Sequence, residues 1–133
     1  MPRSFDFDSQ NRILHCRLHG RITGQELKTI YTNLYEIVVR TRPNAGLVDG
    51  SEVTSIEVSA DLMRQLAKAT PVMPHPALPR VIIAPSPDFY GLARMFEIQG
   101  EATRPNLHVV RSEREAFAIL AVQDPHFDPL EIE

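Results

Sequence analysis

Five histidines, one cysteine and a scatter of carboxylates are the residues of this chain that could do chemistry. His15 and His19 stand four apart, while His75, His108 and His126 lie far from them along the chain. On a strand, a four-residue step keeps two side chains on one face but separates them by roughly 13 Å, too far to share a metal ion. They read as solvated or hydrogen-bonded imidazoles on a wet sheet face. No H-E-x-x-H, C-x-x-C, G-x-G-x-x-G, Walker-type loop or G-x-S-x-G occurs, so the motif-borne metal, dithiol, nucleotide and serine-hydrolase chemistries have no support. No metal, no cofactor and no catalytic residue is expected, and an enzyme is the least supported reading. Cys16 falls on the apolar side of its segment, as a buried structural thiol does. Asp6 and Asp8 point the same way on an edge strand, where solvation accounts for them. Asp49 closes an apolar run, at the end of a strand where open α/β sheets hold ligands. Its alternative role is to accept N–H groups from the loop that follows. Arg94 and Glu97, three apart, support a helix.

The elements that must position these residues follow from apolar spacing. Phe5 and Phe7 alternate with Ser4, Asp6 and Asp8, and Leu14, Cys16 and Leu18 alternate with His15, Arg17 and His19, giving two half-buried strands. The link 9–12 makes them an antiparallel hairpin, with Asn11 the residue best suited to positive φ. Gly20 ends the second strand. Thr23-Gly24-Gln25-Glu26 has capping-box spacing and opens a helix whose inner stripe is Leu27, Ile30, Tyr31, Leu34 and Val38. Pro43 stops it by about Thr41. Residues 45–49 (AGLVD) read as a central parallel strand, 50–58 as a loop, and Ser59 as the N-cap of a helix carrying Leu62, Met63, Leu66 and Ala67. Pro71, Pro74, Pro76 and Pro79 exclude a regular element and suggest a stiff surface connector, or a proline-based recognition segment. Residues 80–84 (RVIIA) form a strand buried on both faces. A helix beginning near Phe89 turns Phe89, Leu92, Ala93 and Phe96 inward. Met95 and Ile98 lie beside that stripe, against the protein's own sheet or against another chain or apolar ligand. A short strand over 106–111 and a helix entered through Ser112-Glu113-Arg114-Glu115 close a single domain, 1–122, leaving 123–133 as a loosely held tail. The order β-β-α-β-α-β-α-β-α implies a mixed sheet, an antiparallel hairpin followed by parallel strands joined by right-handed crossovers, flanked by four helices.

Composition limits the function classes. The chain has 133 residues, 43% hydrophobic and 23% charged, which excludes wholesale disorder. A net charge of −3 argues against nucleic acid as a partner. A single cysteine excludes an intrachain disulfide. The opening residues lack a continuous apolar stretch and no apolar run reaches membrane-spanning length, so a cytoplasmic protein without a signal peptide or membrane insertion is expected.

The stretch from Asp49 to Leu62, D-G-S-E-V-T-S-I-E-V-S-A-D-L, resembles the signature of STAS domains, the anti-sigma-factor antagonists and sulfate-transporter tails. In those domains a strand ends in D-L-S, continues as V-x-x-I-D-S-S-G-L and enters a helix. Asp49, Ser51, Val53, Ile56, Ser59 and Leu62 match that register, and the element order agrees over about 4–122. The segment G-L-A-R-M-F-E and the later S-E-R-E-A-F are similar to the SpoIIAA-like branch, labelled STAS/CRAL-TRIO. The resemblance implies an α/β STAS-like fold and a non-catalytic, bacterial regulatory module that binds a protein partner and self-associates. Its working surface would comprise Asp49, Ser51, Glu57 and Ser59, with Met95 and Ile98 as a second contact. Antagonists of this kind are switched by phosphorylation of the first serine of D-S-S-G. Here Val58 holds that place, Glu57 replaces the aspartate and Ala60 the glycine, so that switch is not expected. The CRAL-TRIO label implies an alternative, an apolar small molecule held among Met63, Met73, Phe89, Met95 and Phe96, whereas an anionic small molecule would dock at the Asp49–Ser59 surface.

Overall fold

A computed structural model describes residues 3–131. Its elements are β1 (Arg3–Asp8), β2 (Ile13–Thr23), α1 (Gly24–Thr41), β3 (Ala45–Glu57), α2 (Ala60–Lys68), β4 (Arg80–Ile83), α3 (Pro87–Gln99), β5 (Leu107–Val110), α4 (Glu113–Leu120) and β6 (Asp128–Leu130). They form a six-stranded sheet in the order β5-β4-β3-β2-β1-β6. β2, β3, β4 and β5 run parallel, with Val48 beside Ile82, while β1 is antiparallel to both β2 and β6.

That order explains the layers. Each crossover from β2 to β5 steps one strand in the same direction, and crossovers of one hand then deliver α1, α2 and α3 to one face. Ile30, Ile37 and Val38 of α1 and Phe89 and Ala93 of α3 pack there on Phe5, Leu14, Cys16, Leu18 and Ile22. Only α4 reaches the opposite face, where Ala116, Phe117 and Leu120 meet Ile13, Leu47, Val81, Ile83 and Val110. Local chemistry starts each helix. Thr23 and Glu26 close a capping box, and Ser59, Ser86 and Ser112 accept from Leu62, Phe89 and Glu115 amides. Gly50 lies under α3: a Cβ there would stand 2.1 Å from Phe89 Cε2 and 2.9 Å from the Ile83 carbonyl.

Five expectations are corrected. Arg12, not Asn11, takes positive φ in the first turn; Asn11 is instead engaged with Asp8 through both its amide and its side chain. Gly20 does not end β2. It sits at φ +74° beside a bulge and the strand continues to Thr23. Residues 50–57 are strand, not loop: between Arg17↔Asp49 and His19↔Glu52, and again before Arg21↔Ser55, β3 advances one residue more than β2. These bulges let β3 stay paired while Val53 and Ile56 remain turned toward the core. The reading of 123–133 as a loose tail fails for 128–130, since β6 pairs with β1 (Phe5↔Leu130, Phe7↔Asp128) and removes β1 from the sheet edge. α3 starts at Pro87, two residues before the expected Phe89.

Candidate functional site

The sheet face that α4 covers carries a row of polar groups where α4 stops. Asp6 of β1 and His15 of β2 are register partners, and Arg17 of β2 is opposite Asp49 of β3. Asp6 Oδ2 is ion-paired with Arg17, 3.0 Å from Nε, and stands 3.5 Å from His15 Nδ1. On the other side of the ring, His15 Nε2 is 3.7 Å from Asp49 Oδ2. The Phe127 ring lies over the imidazole, centroids 4.5 Å apart. His15 is only 6% exposed, and neither ring nitrogen makes a hydrogen bond among the described residues. Two expectations therefore change. Asp6 and Asp8 are buried rather than solvated, because β6 and the chain before it cover β1. His15 lies in a dry sandwich rather than on a wet face, because Phe127 closes over it, whereas His19 remains part-exposed.

Asp49 behaves as a local acceptor. Its Oδ1 takes the Ser51 amide at 2.9 Å and the Ser51 hydroxyl at 2.5 Å. Burial pushes its carboxyl up, but the nearby His15 imidazole and the two Ser51 donors outweigh burial and hold it at about 2. At 3.7 Å the imidazole acts on it as a neighbouring charge or dipole, not through a formed hydrogen bond. Asp8 is held below the usual carboxylate range: burial opposes this, and donors from Asn11, His126 and Gln10 overcome it.

The later part of the STAS-like segment lies elsewhere. Among the described residues, β1 pairs with β2 as far as Leu18, and β4 pairs with β3 as far as Asp49. Beyond these points β2 and β3 continue as a two-stranded parallel arm, its core side formed by Ile22, Val53 and Ile56. Its outer side exposes Ser51, Glu52, Thr54, Ser55 and Glu57. At the tip Arg21 grips Glu57 with Nε and Nη2, an ion pair that lies in solvent. Ser59 follows, its hydroxyl accepting the Leu62 amide at 3.1 Å as the N-cap of α2. Asp49 and Ser51 thus form one local group and Glu57 and Ser59 another, about 26 Å of strand apart from Asp49 to Glu57. On α3, Ile98 is 59% exposed and Met95 half-buried.

Between the sheet and α1–α3 lies a partly open apolar cavity of about 170 Å³. Met63, Met73, Phe89 and Phe96 line it as expected; Met95 does not. Cys16 also lines it, and burial pushes its thiol up to about 12, with Arg3 opposing and Asp6 adding to the rise, so it is no nucleophile. Two buried arginines that the sequence did not single out belong to the same wall. Arg80 donates to the carbonyls of Met73, His75, Pro76 and Leu78, winding the proline-rich connector around its guanidinium. Arg104 donates to the Leu66, Ala67 and Ala69 carbonyls at the end of α2 and to the Tyr31 hydroxyl, with Phe96 beneath it. Nothing in their spacing signals these roles, since each stands beside a proline and most of their acceptors are main-chain atoms. His15 had a signal, its position opposite Asp6 in the hairpin register.

Among the described residues, no group of three or more histidine, cysteine, aspartate or glutamate side chains is arranged to hold a metal ion. No helix among them is long and apolar enough to cross a membrane. No protein-family model matches the sequence, and no curated protein matches it. Solved structures do match. The anti-sigma factor antagonist SpoIIAA in its unphosphorylated form superposes with TM-score 0.60 at 10% identity, over 92% of this chain and 99% of that one. The Bacillus cell fate determinant SpoIIAA in the phosphorylated form gives TM-score 0.55 at 14% identity, over 87% and 96%. The chain has the SpoIIAA-like STAS fold, a mixed α/β sheet with four helices.

Proposed function

We propose that this chain is a non-catalytic regulatory module that binds a protein partner through the β2–β3 arm and the start of α2. The observation that carries this reading is the fold likeness to an anti-sigma factor antagonist, which leaves almost none of that antagonist's chain unmatched. Fold alone does not assign function, so the reading leans also on the arm itself. Residues 51–57 of β3 offer unpaired main-chain groups and a polar outer row, a surface on which a partner could dock. Glu57 and Ser59 stand at its tip. Val58 has no hydroxyl to phosphorylate, and the Ser59 hydroxyl is engaged in its N-cap, so binding here is governed by partner concentration and charge and not by a serine switch. A bacterial cytoplasmic protein that pairs with its own kind through Met95 and Ile98 fits the same reading.

The test compares the capture profile of the wild-type chain with those of Glu57→Lys and Ser59→Asp, with Ile119→Lys on the opposite layer as control. Loss of the same bound protein from both tip variants, with the control unchanged, is the expected result. Identical profiles for all four proteins would remove the arm from the function. A second reading, binding of a small apolar molecule, is favoured by one observation, the cavity beneath α1–α3. Protein interiors have few voids larger than a water molecule, and apolar cavities of this size stay dry and accept apolar guests. A native mass spectrum showing only bare protein would count against it.

A further inference from the structure

Arg80 and Arg104 are both more than nine-tenths buried, both line the apolar cavity, and neither has a carboxylate partner among the described residues. Their hydrogen bonds run from Nη1 and Nη2 to neutral acceptors, and Nε of each makes none. Carbonyl dipoles satisfy the donors but cancel no net charge, so one wall of a low-dielectric chamber holds two positive charges. They feel each other: burial first, and then Arg104, lowers the Arg80 guanidinium from its ordinary value. The rest of the wall is almost wholly aliphatic, thioether and aromatic, with residues such as Leu34, Met63, Met73 and Phe89. A chamber of this kind is matched by a molecule with an apolar body and a single anionic end.

We propose that the cavity binds a short-chain monocarboxylic acid, its apolar body among Leu34, Met63, Met73 and Phe89 and its carboxylate against the Nε sides of Arg80 and Arg104. The proposal rests on the apolar-ligand reading and adds the charge of the ligand to it. Size limits the body to roughly six to eight carbons, since a dry apolar cavity of about 150 Å³ holds benzene. The carboxylate neutralises charge that main-chain carbonyls leave standing, which gives the acid its advantage over a neutral molecule of equal length.

The test is a titration of the full chain, with ¹³C-labelled methionine methyls observed by NMR, against sodium octanoate, 1-octanol and sodium acetate. Octanoate is expected to shift the Met63 and Met73 methyls and to bind about tenfold tighter than octanol, the gain of charge-assisted hydrogen bonds. Acetate is expected to shift neither methyl at the same concentrations. In Arg80→Gln the octanoate advantage should vanish while octanol binding stays; Arg104→Gln serves if that variant does not fold. Equal binding of octanoate and octanol to the wild type overturns the acid and leaves the apolar-ligand reading standing. No shift with either overturns both. Shifts with acetate matching those with octanoate overturn the role of the apolar body.

Discussion

Asp8 closes the first hairpin with a carboxylate that is only 1% exposed and accepts the amides of Gln10, Asn11 and His126 and the side chain of Asn11. It joins two ends of the chain. Asp8→Ala leaves these donors without their acceptor and is expected to cost about 2–3 kcal/mol in urea unfolding, with Asp8→Asn losing less. An unchanged midpoint for Asp8→Ala would show the donors to be satisfied by water. Asp49 and Asp8 both titrate below their unfolded value of 3.8. A carboxyl held low in the folded state adds stability that is complete above its unfolded value and is lost as pH falls toward the folded one. For Asp49 that window runs from 3.8 down to about 2. Stability measured at about pH 6 and again at about pH 2.5 should therefore drop less in Asp49→Asn than in the wild type. An equal drop in both would place the acid sensitivity elsewhere.

At the scale of elements, single residues decide how layers meet. Gly50 admits α3 to the sheet, because Phe89 occupies the space of a Cβ. Gly50→Ala is expected to destabilise by about 2–3 kcal/mol through overpacking, and Phe89→Leu in the same chain should recover part of it. Failure of the second change to help would implicate the Ile83 carbonyl at 2.9 Å instead. Arg104 holds the last carbonyls of α2, which no residue of α2 itself can satisfy. In Arg104→Met the α2 amides should exchange with solvent faster than those of α1, at a stability cost of about 2–3 kcal/mol. Uniform protection across both helices would mean that the bracket is dispensable. Helix starts were legible because Thr23, Ser59 and Ser112 act within three residues of themselves. The length of β3 was not, because Gly50, Ser51 and Ser55 have turn composition while neighbouring β2 keeps the strand paired on either side of two bulges.

At the scale of the molecule, the final segment returns across the sheet: β6 pairs with β1 and Phe127 covers His15. Deleting residues 124–133 exposes Asp6, Asp8 and His15 together and is expected to lower the Tm by roughly 10 °C, about 3 kcal/mol for a chain of this length. A truncated chain that melts with the full one would make the segment an appendage. The same layout separates two places of interest, an arm tip on one side and an apolar chamber under three helices.

Local patterns in the chain determined its element order as far as α4, the capping of its helices, the hairpin and the parallel placement of Val48 beside Ile82, because each depends on spacing within a few residues or on one-directional crossovers. Only the folded molecule decided that Asp6, His15 and Asp49 share a dry face, that Arg80 and Arg104 wall the cavity, and that residues 128–130 are a strand. These depend on groups far apart in the chain, 118 residues from Asp8 to His126 in one hydrogen bond, and on main-chain acceptors that carry no side-chain signature.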